Sequence, residues 1–286
     1  MKGKMNPRFM MIISMMIFGT LGIFVRHISV SSQELALYRA VMAAVVIGGY
    51  LLFTRQRIPF GEIKNDLMLL LLSGVAMGIN WILLFEAYKY TTVSIATLSY
   101  YFAPVIVTLV CPFLFREKLT LKQKICFVMS TLGIVLLTGI GGMRGSGDIP
   151  GILFGLGAAV FYAAVILLNK FIRKVEGIHR TFLQFLAAIT VLLPYVIFTG
   201  VSNLGEMKPS GWASLLTVGI LHTGITYCMY FSSLKDLPGQ KAAILSYIDP
   251  LVAVVISVTI LGESMTFLQL VGGAMILGFT LLNEMS

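Results

Sequence analysis

An acid and a proline stand together at Asp249-Pro250, inside the otherwise apolar stretch "LSYIDPLVAVV" of residues 245–255. A carboxylate within such a membrane-type segment costs about 2.5–3.5 kcal/mol on insertion scales, so it is expected to face a partner or a cavity. Two chemical roles suit it: an anchor for a substrate amine, or a carrier of protons. The alternative is structural, with Asp249 bonding backbone groups that Pro250 leaves without a helical partner.

Arg39 and His222 are further ionisable side chains inside apolar segments. Arg39 follows Tyr38 in "ELALYRAVMA" and could hold an anionic group, or Glu34, in a vestibule. Alternatively, its long side chain snorkels to the membrane surface. His222, in "GILHTGITYCMYF", is the residue type that titrates near neutral pH. A single histidine in a helix bundle is also typical of a hydrogen-bonded core residue.

Aromatic residues recur at helical spacing in several apolar segments. Trp81, Phe85 and Tyr88 follow i, i+4, i+7 spacing, so they share one helix face. Such a face suits planar or cationic ligands through stacking and cation–π contact, whereas packing and interfacial belts are the alternative. The candidate substrate-binding residues of the whole chain are Tyr38, Arg39, Asn80, Trp81, Tyr88, Tyr101, His222, Tyr227, Tyr247 and Asp249.

The composition indicates what surrounds these residues. Of the 286 residues, 58% are hydrophobic and only 12% are charged, about half the charged fraction of a soluble domain. Apolar runs of roughly twenty residues recur along the chain, each long enough to cross a bilayer as a helix. The chain is therefore predicted to be an all-α membrane protein. The first run follows a basic start without a cleavage motif, so it is read as a retained helix.

Ten transmembrane helices are predicted from the apolar runs. Their bounds are 9–27, 34–53, 67–88, 92–114, 121–139, 151–171, 181–199, 212–233, 239–261 and 267–283. Lysine and arginine are concentrated on the side of the N-terminus, and only Arg26, Arg39, Lys89, Arg144 and Lys208 fall on the other side. This bias accounts for the net charge of +9 without nucleic acid, and it predicts that both termini are cytoplasmic.

The chain repeats itself after 146 residues, since 78–129 aligns with 224–275 without a gap. The pairs that apolar composition does not explain are Lys89 with Lys235, Tyr101 with Tyr247, Pro104 with Pro250, Glu117 with Glu263, and Gln123 with Gln269; Thr120 also aligns with Thr266. The predicted domains are therefore two five-helix repeats, 1–140 and 141–286. An odd number of spans in each half predicts that the second inserts upside down, an arrangement typical of secondary transporters.

The segments "SYYFAPVIVTLVCPFLFREKLT" (99–120) and "SYIDPLVAVVISVTILGESMT" (246–266) carry a family resemblance. With ten spans in two halves, they resemble the EamA-type drug/metabolite transporters. That resemblance implies an exporter of a small organic metabolite such as an amino acid, working by alternating access through a central cavity. It leaves open an importer of a nucleobase, amine or cofactor precursor. Pro104 and Pro250 are then candidate hinges, with a static kink as the alternative.

Other function classes find less support in the sequence. No GxxxxGK[ST] motif, HExxH motif or cluster of metal ligands occurs, and the three cysteines read as small hydrophobes. We therefore expect no cofactor, no metal and no ATP-driven step. A membrane-embedded enzyme would need a convergent nucleophile and base, which Asp249 with the distant His222 does not provide. The expected partners are a small-molecule substrate and the bilayer; proton coupling and the choice between monomer and homodimer stay open. The expected location is a bacterial cytoplasmic membrane.

Overall fold

The computed structural model describes residues 6–56, 60–115, 120–137, 148–172, 175, 177–199, 204–237 and 245–285. All regular structure among these residues is helical. The helices are α1 Pro7–Gly19, α2 Leu21–Val25, α3 Ser32–Phe53, α4 Phe60–Tyr90, α5 Val93–Tyr100, α6 Ala103–Phe115, α7 Leu121–Leu137, α8 Asp148–Phe171, α9 Gly177–Thr199, a short 3₁₀ turn Leu204–Glu206, α10 Pro209–Leu216, a π-helical stretch Thr217–Ile225, α11 Thr226–Asp236, α12 Ile248–Thr259 and α13 Phe267–Glu284.

Within the part of the chain that the structure describes, six helical stretches are long and apolar enough to cross a membrane, and shorter apolar helices accompany them. The long stretches are Pro7–Val25, Ser32–Phe53, Asp66–Tyr90, Asp148–Asn169, Gly177–Phe198 and Pro209–Ser233. The shorter ones are Val93–Val107, Ile248–Thr259 and Phe267–Asn283. These helices agree with an all-helical membrane protein. Ten spans in two inverted halves stay a prediction; the predicted boundary at residue 140, the start of the ninth span and Glu117 lie outside the described residues.

Two helix starts follow the same rule at positions 146 residues apart. Thr120 Oγ1 accepts a hydrogen bond from Gln123 N at 3.2 Å, while Gln123 Oε1 accepts one from Thr120 N at 2.9 Å. Thr266 and Gln269 exchange the same two bonds, at 3.3 and 2.9 Å. Each capping box satisfies two backbone donors that a helix start leaves without partners. The Thr and Gln pairs of the repeat therefore have a common structural cause.

Each paired proline lies in the first turn after a short interruption of its helix. α5 ends at Tyr100 and α6 begins at Ala103, so Pro104 lies in the first turn of α6. Pro250 lies in the first turn of α12, which begins at Ile248 after a turn at Tyr247. An interruption beside each proline agrees with the loss of one backbone N–H there, and the choice between hinge and static kink stays a prediction. We call the interruption at residues 101–102 the first break and the one at Tyr247 the second break.

The helices pack against one another as a bundle. α4 packs against α8 and α9, and α3 packs against α9 and the π-helical stretch. α1 packs against α11 and α12, while α7 and α13 pack against each other. Some of these approaches need glycine: a Cβ at Gly74 of α4 would lie 2.5 Å from the Ala187 side chain of α9. The largest apolar cluster lies between α3, α4, α9 and the π-helical stretch.

Candidate functional site

A cavity of about 380 Å³ lies inside the bundle. Its volume is in the range of small-molecule sites. Residues of α1, α2, α3, α4, α5, α6, α8, α9, α11 and α12 line it, together with Tyr247 at the second break. Of the residues predicted from the sequence, those that line the cavity are Arg39, Trp81, Tyr88, Tyr101, Pro104, Tyr227, Tyr247 and Asp249.

Asp249 reaches the cavity from the second break. It is in the first turn of α12, where the positive end of the helix dipole favours a carboxylate. Its Oδ2 accepts a hydrogen bond of 2.5 Å from the hydroxyl of Tyr101, which lies at the first break. No other described residue hydrogen-bonds the Asp249 side chain. The two breaks therefore meet at the cavity through one charge-assisted bond, and one carboxylate oxygen remains available there.

Arg39 reaches the same cavity from α3 and is only 3% exposed. Its Nε donates to Thr223 Oγ1 at 2.6 Å, and its Cζ lies 4.6 Å from the centre of the Trp81 ring. The expectation that Arg39 snorkels to the surface is therefore wrong, because a hydroxyl and an aromatic face hold the guanidinium inside. Among the described residues, no carboxylate lies within 4.0 Å of it, and its two terminal nitrogens make no hydrogen bond.

The π-helical stretch provides the hydroxyl that Arg39 uses. Thr223 Oγ1 donates to Val218 O at 2.8 Å, five residues back, as the wider turn allows. π-helical turns are rare and often occur at functional sites. A Cβ at Gly219 would lie 2.1 Å from Met42 Sδ, so glycine is what lets this stretch approach α3. The position of Arg39 therefore depends on a local departure from α-helical geometry.

Aromatic rings form much of the remaining wall. Tyr100 and Tyr162 stack with their ring centroids 5.0 Å apart and their planes at 24°. Tyr101 and Tyr247, the repeat pair, lie 6.4 Å apart. Tyr227 packs edge-on against Phe185 at 5.4 Å. These rings give the cavity broad apolar faces between its charged groups, a surface suited to planar or apolar ligand groups.

Four predicted residues do not line the cavity. Asn80 faces α8, where its Nδ2 donates to Ala158 O at 2.7 Å. His222 Nε2 lies 2.8 Å from Thr20 Oγ1, and its ring packs edge-on against Phe24. The Tyr38 hydroxyl donates to Glu34 Oε1 at 3.4 Å. Pro250 is buried at the start of α12. Each of the three polar side chains is held by a neighbouring helix or by its own helix.

Several cavity residues were not predicted from the sequence. Gln184 and Asn169 are joined by a 2.7 Å hydrogen bond, and Gln184 also donates to Ser73 Oγ at 2.8 Å. Tyr100 and Tyr162 supply the stacked pair. The polarity of Asn169 and Gln184 within apolar runs was a usable signal, since such groups in a membrane segment seek partners or a cavity. Tyr162 carried no such signal, because nothing in the neighbouring sequence distinguishes it from an aromatic residue that only packs between helices.

A polar network around Arg26 lies where the end of α2 meets the start of α5. Arg26 forms an ion pair with Glu263, and Glu263 also accepts a hydrogen bond from Ser257. Glu263 Oε2 accepts from Val93 N at 2.9 Å, so it caps the start of α5. Thr91 Oγ1 donates to Asp148 Oδ1 at 2.7 Å. We call this side of the molecule the Arg26 end. The network joins residues from both predicted halves of the chain.

Comparison with known proteins decides the family. Residues 7–139 and 149–284 match the model of the EamA-like transporter family. The chain belongs to that family. It is similar to the uncharacterized transporter YxxF of Bacillus subtilis (strain 168), at 33% identity over 96% of this chain and 88% of the relative. An uncharacterized transporter of Archaeoglobus fulgidus is 26% identical over 95% and 93% of the two chains.

A solved crystal structure shares the fold of this EamA-like chain. It aligns with a TM-score of 0.65 at 17% identity, over 96% of each chain. The family match, the transporter relatives and the apolar helices together indicate a multi-pass membrane transporter.

Proposed function

We propose that this protein is a secondary transporter that exports a small organic metabolite, such as an amino acid or a related compound. The substrate passes through the central cavity by alternating access between the two inverted halves. The observation that carries the proposal is the cavity itself, since it lies within the bundle and contains one accessible carboxylate and one buried guanidinium. An importer of a nucleobase, amine or cofactor precursor is the alternative.

The polar network at the Arg26 end supports alternating access. Arg26 and Glu263 lie beyond the ends of α2 and α12, and Glu263 also holds the start of α5. These contacts connect the first and second predicted halves, so opening the cavity at this end requires that they break. The network consists of one ion pair and a few hydrogen bonds, so few contacts have to break.

The orientation of the proposed transporter follows from charge. Positive residues concentrate on the side of the N-terminus, which supports cytoplasmic termini and an outer position of the Arg26 end. The contacts of the Arg26 end then lie on the outer side, where they have to break when an exporter releases its substrate. Short linkers and the bacterial relatives favour a cytoplasmic membrane as its location.

Counterflow in proteoliposomes tests the proposal. Purified protein is reconstituted with a high internal concentration of one unlabelled compound, and uptake of the labelled compound is followed for amino acids, nucleobases and amines in turn. A secondary transporter gives a transient, saturable accumulation without ATP for at least one class. Chemical conversion of the compound would indicate an enzyme, and the absence of saturable exchange for all classes would overturn the proposal.

A further inference from the structure

The cavity contains two groups of opposite charge that do not form an ion pair: Arg39, which is buried, and Asp249, which is partly exposed in the cavity. Asp249 enters from α12 and Arg39 from α3, and both line the same space. They are not an ion pair, because no described carboxylate lies within 4.0 Å of the Arg39 guanidinium. Separate charges in a low-dielectric interior are costly, since each loses its hydration without gaining a full partner. Such an arrangement calls for a ligand that bears both complementary charges.

Each charge is held in place by its own neighbours. Thr223 takes one Arg39 nitrogen and the Trp81 face supports the guanidinium plane, which leaves the two terminal nitrogens for a ligand. Those nitrogens present the forked geometry that binds a carboxylate through two hydrogen bonds. Tyr101 takes one Asp249 oxygen and leaves the other for a ligand ammonium. The side chains are therefore positioned for a ligand and kept from collapsing onto each other.

We propose that the cavity is a zwitterion site, in which Arg39 binds the carboxylate and Asp249 the ammonium of one small molecule. This inference rests on the cavity being the substrate site of the proposed transporter. The stacked rings of Tyr100 and Tyr162 give the ligand an apolar wall, so the site suits zwitterions with an apolar or aromatic body. A ligand with one charge leaves either Arg39 or Asp249 inside the bundle without an opposite charge, and it is rejected for that reason.

Matched ligands separate the two charges in a binding measurement. Calorimetry on purified protein in detergent compares L-phenylalanine with phenethylamine, which lacks the carboxylate, and with 3-phenylpropionate, which lacks the ammonium. L-Leucine and L-alanine test smaller apolar bodies. We expect a zwitterion to bind at least about 30-fold more tightly than either of its singly charged analogues, the scale of leaving one buried charge unpaired. Equal or tighter binding of an analogue, or no binding of any zwitterion up to about 10 mM, would overturn the inference.

Two variants give a crossed pattern that general damage cannot imitate. Arg39→Gln should lower the preference for L-phenylalanine over phenethylamine at least tenfold while keeping the preference over 3-phenylpropionate. Asp249→Asn should do the reverse. Arg39→Lys keeps the positive charge without the fork and should retain a reduced preference. A uniform loss for all three ligands would count against the inference; the wild-type comparison tests it even if a variant does not fold.

These measurements distinguish failure of the zwitterion site from failure of the transporter proposal. The crossed pattern with no counterflow would overturn the transporter proposal and leave the zwitterion site standing. Counterflow of singly charged compounds that is indifferent to Arg39→Gln and Asp249→Asn would overturn the site and leave the transporter standing.

Discussion

The first and second breaks share a backbone plan and differ in what they place beside it. At each, a tyrosine lies at the interruption, Tyr101 or Tyr247, and a proline lies in the first turn of the helix that follows, 146 residues apart. The position before the proline is Ala103 at the first break and Asp249 at the second. Ala103 is fully buried and clusters with Ala159 and Ala163 of α8. Asp249 faces the cavity.

The features that the two breaks share are structural, and the residue that differs, Asp249, is the one that can act chemically. The prolines and capping boxes recur because both halves need the same helix starts, whereas the aspartate occurs once. The first break uses its small residue for close packing of α6 on α8, and the second uses the equivalent position to present a carboxylate. Tyr101 then joins the two, since it belongs to the first break and bonds the acid of the second.

Ala103→Asp tests whether the two positions are interchangeable and should have the largest effect. A carboxylate there would be forced between the alanines of α6 and α8, with neither cavity nor partner. We expect a loss of roughly 3–5 kcal/mol, the scale of an uncompensated buried charge, measured as thermal unfolding in detergent. Ala103→Ser is the control, with a much smaller loss. Equal stability of Ala103→Asp and wild type would mean that the first break is open to the cavity as well.

Tyr101→Phe tests the hydrogen bond that joins the first break to the second. The change removes the hydroxyl that donates to Asp249 and keeps the ring, so the carboxylate loses a charge-assisted bond worth about 1.5–3 kcal/mol. We expect about a tenfold loss of transport efficiency in proteoliposomes, with the fold retained. Tyr100→Phe is the matched control, because the Tyr100 ring makes its stacking contact with Tyr162 without its hydroxyl. Equal losses in both variants would show that the Asp249 contact has no special part.

Thr120→Ala and Thr266→Ala test the feature that the two halves share, and their effects should be the smallest. Each variant removes one capping box, at a cost of about 1 kcal/mol. Thermal unfolding of each variant should give similar losses, and hydrogen exchange should rise at the start of α7 in one and of α13 in the other. Clearly unequal losses would argue that the two helix starts are not structural equivalents.

The helices and the carboxylate of Asp249 within one of them could be predicted because both leave a strong pattern in the sequence. Apolar runs predict helices, and a carboxylate within one predicts a cavity or partner, which is how Asp249 was found; Tyr101 was found from its place before Pro104 in the repeat. The sequence did not predict reliably which side chains of a helix face the cavity. His222 was a candidate for the site with a hydrogen-bonded core residue as the alternative, and it contacts Thr20 and Phe24 instead of lining the cavity. Tyr162 was missed because its position depends on tertiary packing alone.

The π-helical stretch has a consequence for how the cavity wall is specified. Thr217–Ile225 precedes α11, whose Tyr227, Tyr230 and Phe231 all line the cavity. Because each residue added to an α-helix turns everything after it by about 100°, one extra α-helical residue inserted before α11 would rotate α11 about its axis by that amount. Those three aromatic rings would then turn away together while the chemistry of every side chain stayed the same. On this wall, the angular phase of the helix is as much a part of the site as the identity of its residues.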